Sequence, residues 1–215
     1  MKVGQVVSLH QQGYPSKEIN QIGLGVDIDE ERDFSAQTLR IFQFGHSIED
    51  QMADWLRQSG FDLRTEDKNG EQFGFSIADG KIRGHIDGVI CGSSGSVDLK
   101  YPMLWECKSA NEKKFREFCR NGMAKTNATY AAQVAVYQAY MELTENPALF
   151  TVVNKNTSEI YYELVKFDKH LAQKMSDRAA DIIMSVQSSS MLPRIAHNRD
   201  YMTCKWCEYQ NTCWQ

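Results

Sequence analysis

Between Phe61 and Lys108 the chain is cut into short extended runs by glycine-bearing turns, and this punctuation constrains the fold more than any other feature. The runs Phe61 to Thr65, Gln72 to Ile77 and Lys81 to Ile90 are separated by Asp67-Lys68-Asn69-Gly70 and Ala78-Asp79-Gly80. Gly92-Ser93-Ser94-Gly95 then leads to Leu104-Trp105-Glu106-Cys107-Lys108. Short runs split by Asn-Gly and Asp-Gly are hairpin signals, so the spacing predicts a meander of antiparallel strands closed by the 104–108 strand.

Helical periodicity lies on both sides of the meander. Leu39, Phe42, Gly45, Ile48, Glu49, Met52, Trp55 and Leu56 recur at threes and fours, which predicts a helix from Ser35 to Gln58 stopped by Gly60. Downstream, Asn111 to Arg120 has helical spacing, and Thr126 to Leu143 sets Tyr130, Val134, Tyr137 and Met141 on one face. Ala148 to Asn154 and Glu159 to Val165 form a second hairpin signal around Asn156-Thr157-Ser158. Asp168 then caps a helix reaching about Val186, with Leu171, Met175, Ala179, Ile182 and Ile183 turned to the core. The order predicts an α/β (α+β) domain with a central mixed sheet flanked by helices. Residues 1–34 suggest a loose helical pair, 35–187 the core, and 188–215 a C-terminal Cys/His segment beyond the serines 188–190 and Pro193.

Composition narrows the function classes. With 215 residues, 42 % hydrophobic and 24 % charged, the chain suits a soluble globular protein rather than a disordered one. No apolar run approaches a membrane span and the N-terminus lacks a signal-peptide layout, so no membrane association and a cytoplasmic setting are expected. The net charge of -4 means that attraction to nucleic acid must rest on local clusters. Lys108, Lys113, Lys114, Arg116, Arg120 and Lys125 fall within eighteen positions, although Glu112 and Glu117 among them equally fit a solvated helix face.

The chemistry concentrates on the last run of the meander. Side chains two apart on a strand share a face, so Glu106 and Lys108 stand together while Trp105 and Cys107 point the other way. Asp87 arrives from the neighbouring strand. Two hard oxygen donors beside a fixed ammonium outline a site for a divalent cation, with a charge that can orient a water or neutralise a phosphate. Glu49 lies on the apolar stripe of its helix, where a carboxylate either reaches solvent at the stripe's edge or points at a metal or lysine. Gln133 precedes Tyr137 by four, one turn along the same side of a helix.

Gly45-x-x-x-Glu49, Gly84-x-x-Asp87, Glu106-x-Lys108 and Gln133-x-x-x-Tyr137, in that order over about residues 40–165, resemble the motifs of the PD-(D/E)XK nuclease superfamily, in its RecB-like and phage recombination-exonuclease branch. The resemblance implies a restriction-endonuclease-like core and a Mg²⁺- or Mn²⁺-dependent deoxyribonuclease. It makes Asp87 and Glu106 metal ligands together with the Cys107 backbone carbonyl, and has Glu49 assist directly or through water. Lys108 would contact the attacking water or the scissile phosphate. Gln133 and Tyr137 would position the DNA strand, and the basic residues Lys113, Lys114, Arg116 and Arg120 would line its path. The expected partner is DNA, single- or double-stranded, engaged at its ends. An exonuclease of recombination, repair or phage DNA metabolism leads; a structure-specific or nicking endonuclease and an inactive nucleic-acid-binding module are the alternatives. A binding module has no need of Asp87, Glu106 and Lys108 together.

The six cysteines are unevenly placed. Cys204 and Cys207 have a chelating spacing, and Cys213 adds a third soft ligand. In a reducing compartment such a cluster points to metal before disulfides. The trio resembles the C-terminal cysteines of iron–sulfur RecB-like nucleases, but the fourth cysteine those proteins carry upstream of the core is missing. His197 would complete a structural Zn²⁺ site; the alternative is a [4Fe-4S] cluster closed by Cys91 or Cys119. A zinc-ribbon interaction protein would explain this tail and leave Glu49, Asp87 and Lys108 unaccounted for.

Overall fold

The computed structural model describes residues 35–95, 97–188, 190, 192–194, 196–205, 207 and 210–214. The helical pair read over residues 1–34 lies outside the described residues. The chain divides into two compact units: Ser35–Phe75 with His85–Ala172, and a second whose described parts are Ser76–Gly84 and the stretch from Gln173 onward.

In the first unit, helix α1 (Ala36–Gln58) begins where Ser35 Oγ accepts the Thr38 amide at 3.1 Å, one of the orphan donors of a helix start. The strands are β1 (Phe61–Arg64), β2 (Gly74–Ile77), β3 (Ile82–His85), β4 (Gly88–Ser93) and β5 (Met103–Ala110). Helices α2 (Glu112–Thr126) and α3 (Ala128–Tyr140) follow, then β6 (Ala148–Asn154), β7 (Ile160–Val165) and helix α4 (Lys169–Gln187). Two short turns of helix, α5 (Met202–Lys205) and α6 (Gln210–Cys213), lie in the cysteine segment.

The sheet is mixed and five-stranded, in the order β1-β4-β5-β6-β7, with β2 and β3 as a separate two-stranded ribbon. The pairs β1–β4, β4–β5 and β6–β7 are antiparallel, whereas β5 and β6 run parallel, Glu106 beside Phe150 and Lys108 beside Val152. Parallel neighbours need a crossover, and α2 with α3 supplies it. The parallel pair makes the sheet mixed, as expected, whereas β1 departs from the expected meander by skipping the ribbon to pair with β4. A further correction concerns the expected single strand from Lys81 to Ile90, which breaks at Ile86 and Asp87. Ile86 N–H still donates to the Phe73 carbonyl at 3.0 Å, but Asp87 turns to the main sheet and Gly88 already pairs with Trp105.

The two faces of the sheet carry different layers. On one, Met52, Ala53 and Leu56 of α1 pack with Leu63, Ile90, Met103, Trp105, Cys107, Leu149 and Val153. On the other, Phe118 of α2 and Tyr130 of α3 meet Phe150 at 5.8 and 6.2 Å between ring centroids. The parity of β5 therefore decides which layer each side chain enters. The apolar stripe read along all of α1 is buried only in its C-terminal half: Leu39 and Phe42 remain 53 % and 47 % exposed. The helix expected to end at Arg120 continues to Thr126 through a kink at Gly122, whose φ of 76° suits a residue without Cβ. Asn127 then caps α3 by accepting the Thr129 and Tyr130 amides at 3.0 and 3.3 Å.

The helix after Asp168 forms as expected, and the Asp168 carboxylate accepts the Leu171 amide at 2.9 Å. Among the described residues no helix is long and apolar enough to cross a membrane.

Candidate active site

β4 and β5 bring the expected carboxylates and lysine together, as strand parity requires. Asp87, immediately ahead of β4, is buried and its Oδ2 accepts the Cys107 amide at 2.7 Å. Glu106, fully buried, accepts a hydrogen bond from Lys108 Nζ through Oε1. Its second oxygen, Oε2, is buried with no hydrogen-bond partner. Burying a carboxylate oxygen without a partner is costly unless the group is neutralised or given a ligand.

Glu49 of α1 completes the acidic group from the helix. Its pKa is pushed up to about 7, first by burial and then by the charge of Asp87, against the pull of Lys108. Burial, then Asp87 and Glu49, push Glu106 up to about 8, again against Lys108. Burial also raises Asp87, opposed by Lys108, the Cys107 amide and His46. For Lys108, burial works against the ammonium, but Glu106 and Asp87 outweigh it and its pKa rises. These carboxylates sense one another's charge around a single ammonium, the situation that a bound cation relieves. The donors fit a small hard cation in chemistry: carboxylate oxygens, one of them unpartnered, beside a peptide pinned by Asp87. Among the described residues no three His, Cys, Asp or Glu side chains are already drawn in as a ligand group.

Gln133 and Tyr137 stand beside this group on α3, both buried, with Gln133 Nε2 donating to Tyr137 Oη at 3.2 Å. Burial and then the charge of Glu106 raise the Tyr137 pKa, which ties this pair electrostatically to the carboxylates. The basic cluster divides. Lys114 donates to Glu117 and to the Thr126 carbonyl at 3.0 and 2.9 Å, and Arg116 is held between Glu112 and Glu159, both at 2.6 Å. Lys113, Arg120 and Lys125 are exposed on the same helix. His85 is exposed next to Asp87.

Three neighbours of the site were not singled out as functional from sequence. Tyr130 lies with its ring 5.4 Å below Lys108 Nζ, His46 Nδ1 is 3.9 Å from Glu49, and Phe75 meets Tyr137 edge-on at 5.9 Å. The signal for Tyr130 was present: it precedes Gln133 by three and Tyr137 by seven on one helix face. Nothing local could flag Phe75, which approaches from a strand of the ribbon.

In the C-terminal segment Cys204, Cys207 and Cys213 are buried thiols and His197 is exposed. Gln210 Nε2 donates to the Arg199 carbonyl at 3.0 Å, and the Arg194 guanidinium lies 4.6 Å over the Trp214 ring.

No protein-family model and no curated protein matches the chain. Among solved structures, the fold is shared with an alkaline exonuclease of Laribacter hongkongensis, LHK-Exo, at 16 % identity and a TM-score of 0.54, covering 87 % of this chain and 86 % of that one. LHK-Exo in complex with dAMP aligns at 14 % identity with a TM-score of 0.55, over 87 % of both chains. At these identities the likeness establishes a common fold, a mixed sheet flanked by helices.

Proposed function

We propose that this chain is a metal-dependent deoxyribonuclease of the PD-(D/E)XK kind, an exonuclease acting on DNA ends in recombination, repair or phage DNA metabolism. The observation that carries the reading is the buried group of Asp87, just ahead of β4, with Glu106 and Lys108 on β5, Glu106 Oε2 being left unpartnered. The fold shared with an alkaline exonuclease supports it.

Held by Asp87, Glu106 and the Cys107 carbonyl, with Glu49 direct or through water, Mg²⁺ or Mn²⁺ would lower the pKa of a water and offset charge on phosphorus. Lys108, kept protonated by Glu106 and Asp87, presents its ammonium to the attacking water or a phosphate oxygen. Asp87 fixes the Cys107 peptide, and with it the direction of the carbonyl on the next bond. Gln133 and Tyr137 position the strand. Lys113 and Arg120 offer exposed charge to the phosphate backbone, while Lys114 and Arg116 would exchange carboxylate partners for phosphate. In the tail, the Cys-x-x-Cys spacing supports a structural Zn²⁺ on Cys204, Cys207, Cys213 and His197, with [4Fe-4S] as the alternative, although among the described residues these side chains are not gathered as a ligand group.

The test is incubation with end-labelled linear single- and double-stranded DNA and with closed circles, with Mg²⁺, Mn²⁺ or EDTA. Short products from one end of linear DNA only, dependent on the cation, are expected; a cut circle would select the endonuclease. Asp87→Ala and Lys108→Ala should each abolish the activity with the circular dichroism spectrum unchanged. Full activity in either variant overturns the site.

A further inference from the structure

We propose that Tyr130 is a positioning residue for Lys108, an aromatic shelf that holds the ammonium at the reaction centre independently of Glu106. The inference rests on the nuclease reading above, which gives Glu106 to a cation and Lys108 to the water or phosphate. A carboxylate engaged with a cation is a weaker anchor for a neighbouring ammonium, and the cation itself repels that ammonium at close range. Lys108 therefore needs a second hold. The ring of Tyr130 lies 5.4 Å from Nζ, within the range at which an aromatic face attracts an ammonium. The attraction strengthens where water is scarce, and the Lys108 side chain is only 14 % exposed.

A shelf works only if it is rigid, and Tyr130 is fixed at both ends. Its ring stacks on Phe118 with 7° between planes at 6.3 Å and tilts against Phe150 at 6.2 Å. Its backbone is tied at the helix start, where Asn127 Oδ1 accepts the Tyr130 amide at 3.3 Å. Phe150 in turn sits beside Glu106 in the β5–β6 register, so the shelf and the carboxylate share one scaffold. The position calls for a ring rather than a hydroxyl. Tyr130→Phe should preserve the hold and Tyr130→Leu, of similar apolar character, should lose it.

Two readouts decide the matter. In ¹³C-lysine-labelled protein, a resonance assigned to Lys108 by its loss in Lys108→Met should lie upfield through the ring current. It should stay there in Glu106→Gln and in Tyr130→Phe, and move to the position of exposed lysines in Tyr130→Leu, all in EDTA. On linear DNA with Mg²⁺, Tyr130→Phe should keep wild-type kcat, while Tyr130→Leu should lose about tenfold in kcat with KM within about twofold, the magnitude of one partly desolvated cation–π contact. A Lys108 signal unmoved in Tyr130→Leu, or equal kcat in the leucine and phenylalanine variants of an active enzyme, overturns the shelf. A wild-type protein that leaves DNA intact instead defeats the nuclease reading, and the spectrum still reports whether the ring holds the lysine.

Discussion

Burial raises the pKa of both Glu106 and Glu49, and this gives the metal-free protein a defined response to pH. Their folded pKa values, about 8 and about 7, lie above the ordinary 4.5. The folded state therefore keeps protons that the unfolded chain has already released between pH 4.5 and about 8. That stabilisation is fully present below 4.5 and is lost as pH rises through about 7 and about 8. In EDTA the melting temperature is expected to fall from about pH 5 to about pH 9, and Glu106→Gln, which cannot ionise, should flatten much of that fall. Mg²⁺ should restore stability at the alkaline end. Identical melting profiles for wild type and Glu106→Gln in EDTA would show that Glu106 is not held protonated. At this scale the sequence was informative where a period sufficed: the two-residue spacing of Glu106 and Lys108 places them on one face. It was silent on the Asp87–Cys107 hydrogen bond, which depends on how the chain enters β4.

Gly88 shows how an element boundary can be decided by space. A Cβ there would stand 2.8 Å from the Arg64 carbonyl and from Leu63 Cδ1, and 3.2 Å from the Trp105 ring. β4 thus runs against β1 and β5 at a distance that admits only glycine, directly after Asp87. Gly88→Ala should cost about 1–3 kcal/mol by overpacking and lower the melting temperature by several degrees, read by thermal denaturation in EDTA. An unchanged midpoint would mean that the strands are free to separate. The break between β3 and β4 was read through, because the apolar alternation of Lys81 to Ile90 continues across Asp87, although Asp87-Gly88 is the same kind of pair that splits the other runs. What ends β3 is a change of partner, from the ribbon to the main sheet. The helix starts were read well because the apolar period begins where a cap stands: Ser35, Asn111 and Asp168 all accept amides of the first turn. Gly122 kinks α2 where the sequence suggested an end, and the chain stays helical on both sides because Glu163 accepts the Met123 amide at 2.7 Å.

For the whole molecule, order of elements was legible and connectivity was not. Strand after strand suggested a meander, and the sheet is mixed as expected, yet β1 joins β4 across the β2–β3 ribbon. The tail is a further test at this scale. Protein purified without added metal and without air is expected to carry about one zinc per chain by atomic emission, as a Cys₃His site requires, and to lose it in Cys207→Ser. Iron with a broad absorbance near about 400 nm would replace zinc by a cluster. The parallel pairing of β5 with β6 has a consequence in time. The Asp87–Cys107 bond joins residues twenty apart, whereas the Trp105–Thr151 bond across β5 and β6 spans forty-six. Closing the longer loop costs more chain entropy and must wait for α2 and α3 to be threaded between the strands. In refolding, protection of the Cys107 amide by Asp87 is therefore expected to appear before β6 docks on β5.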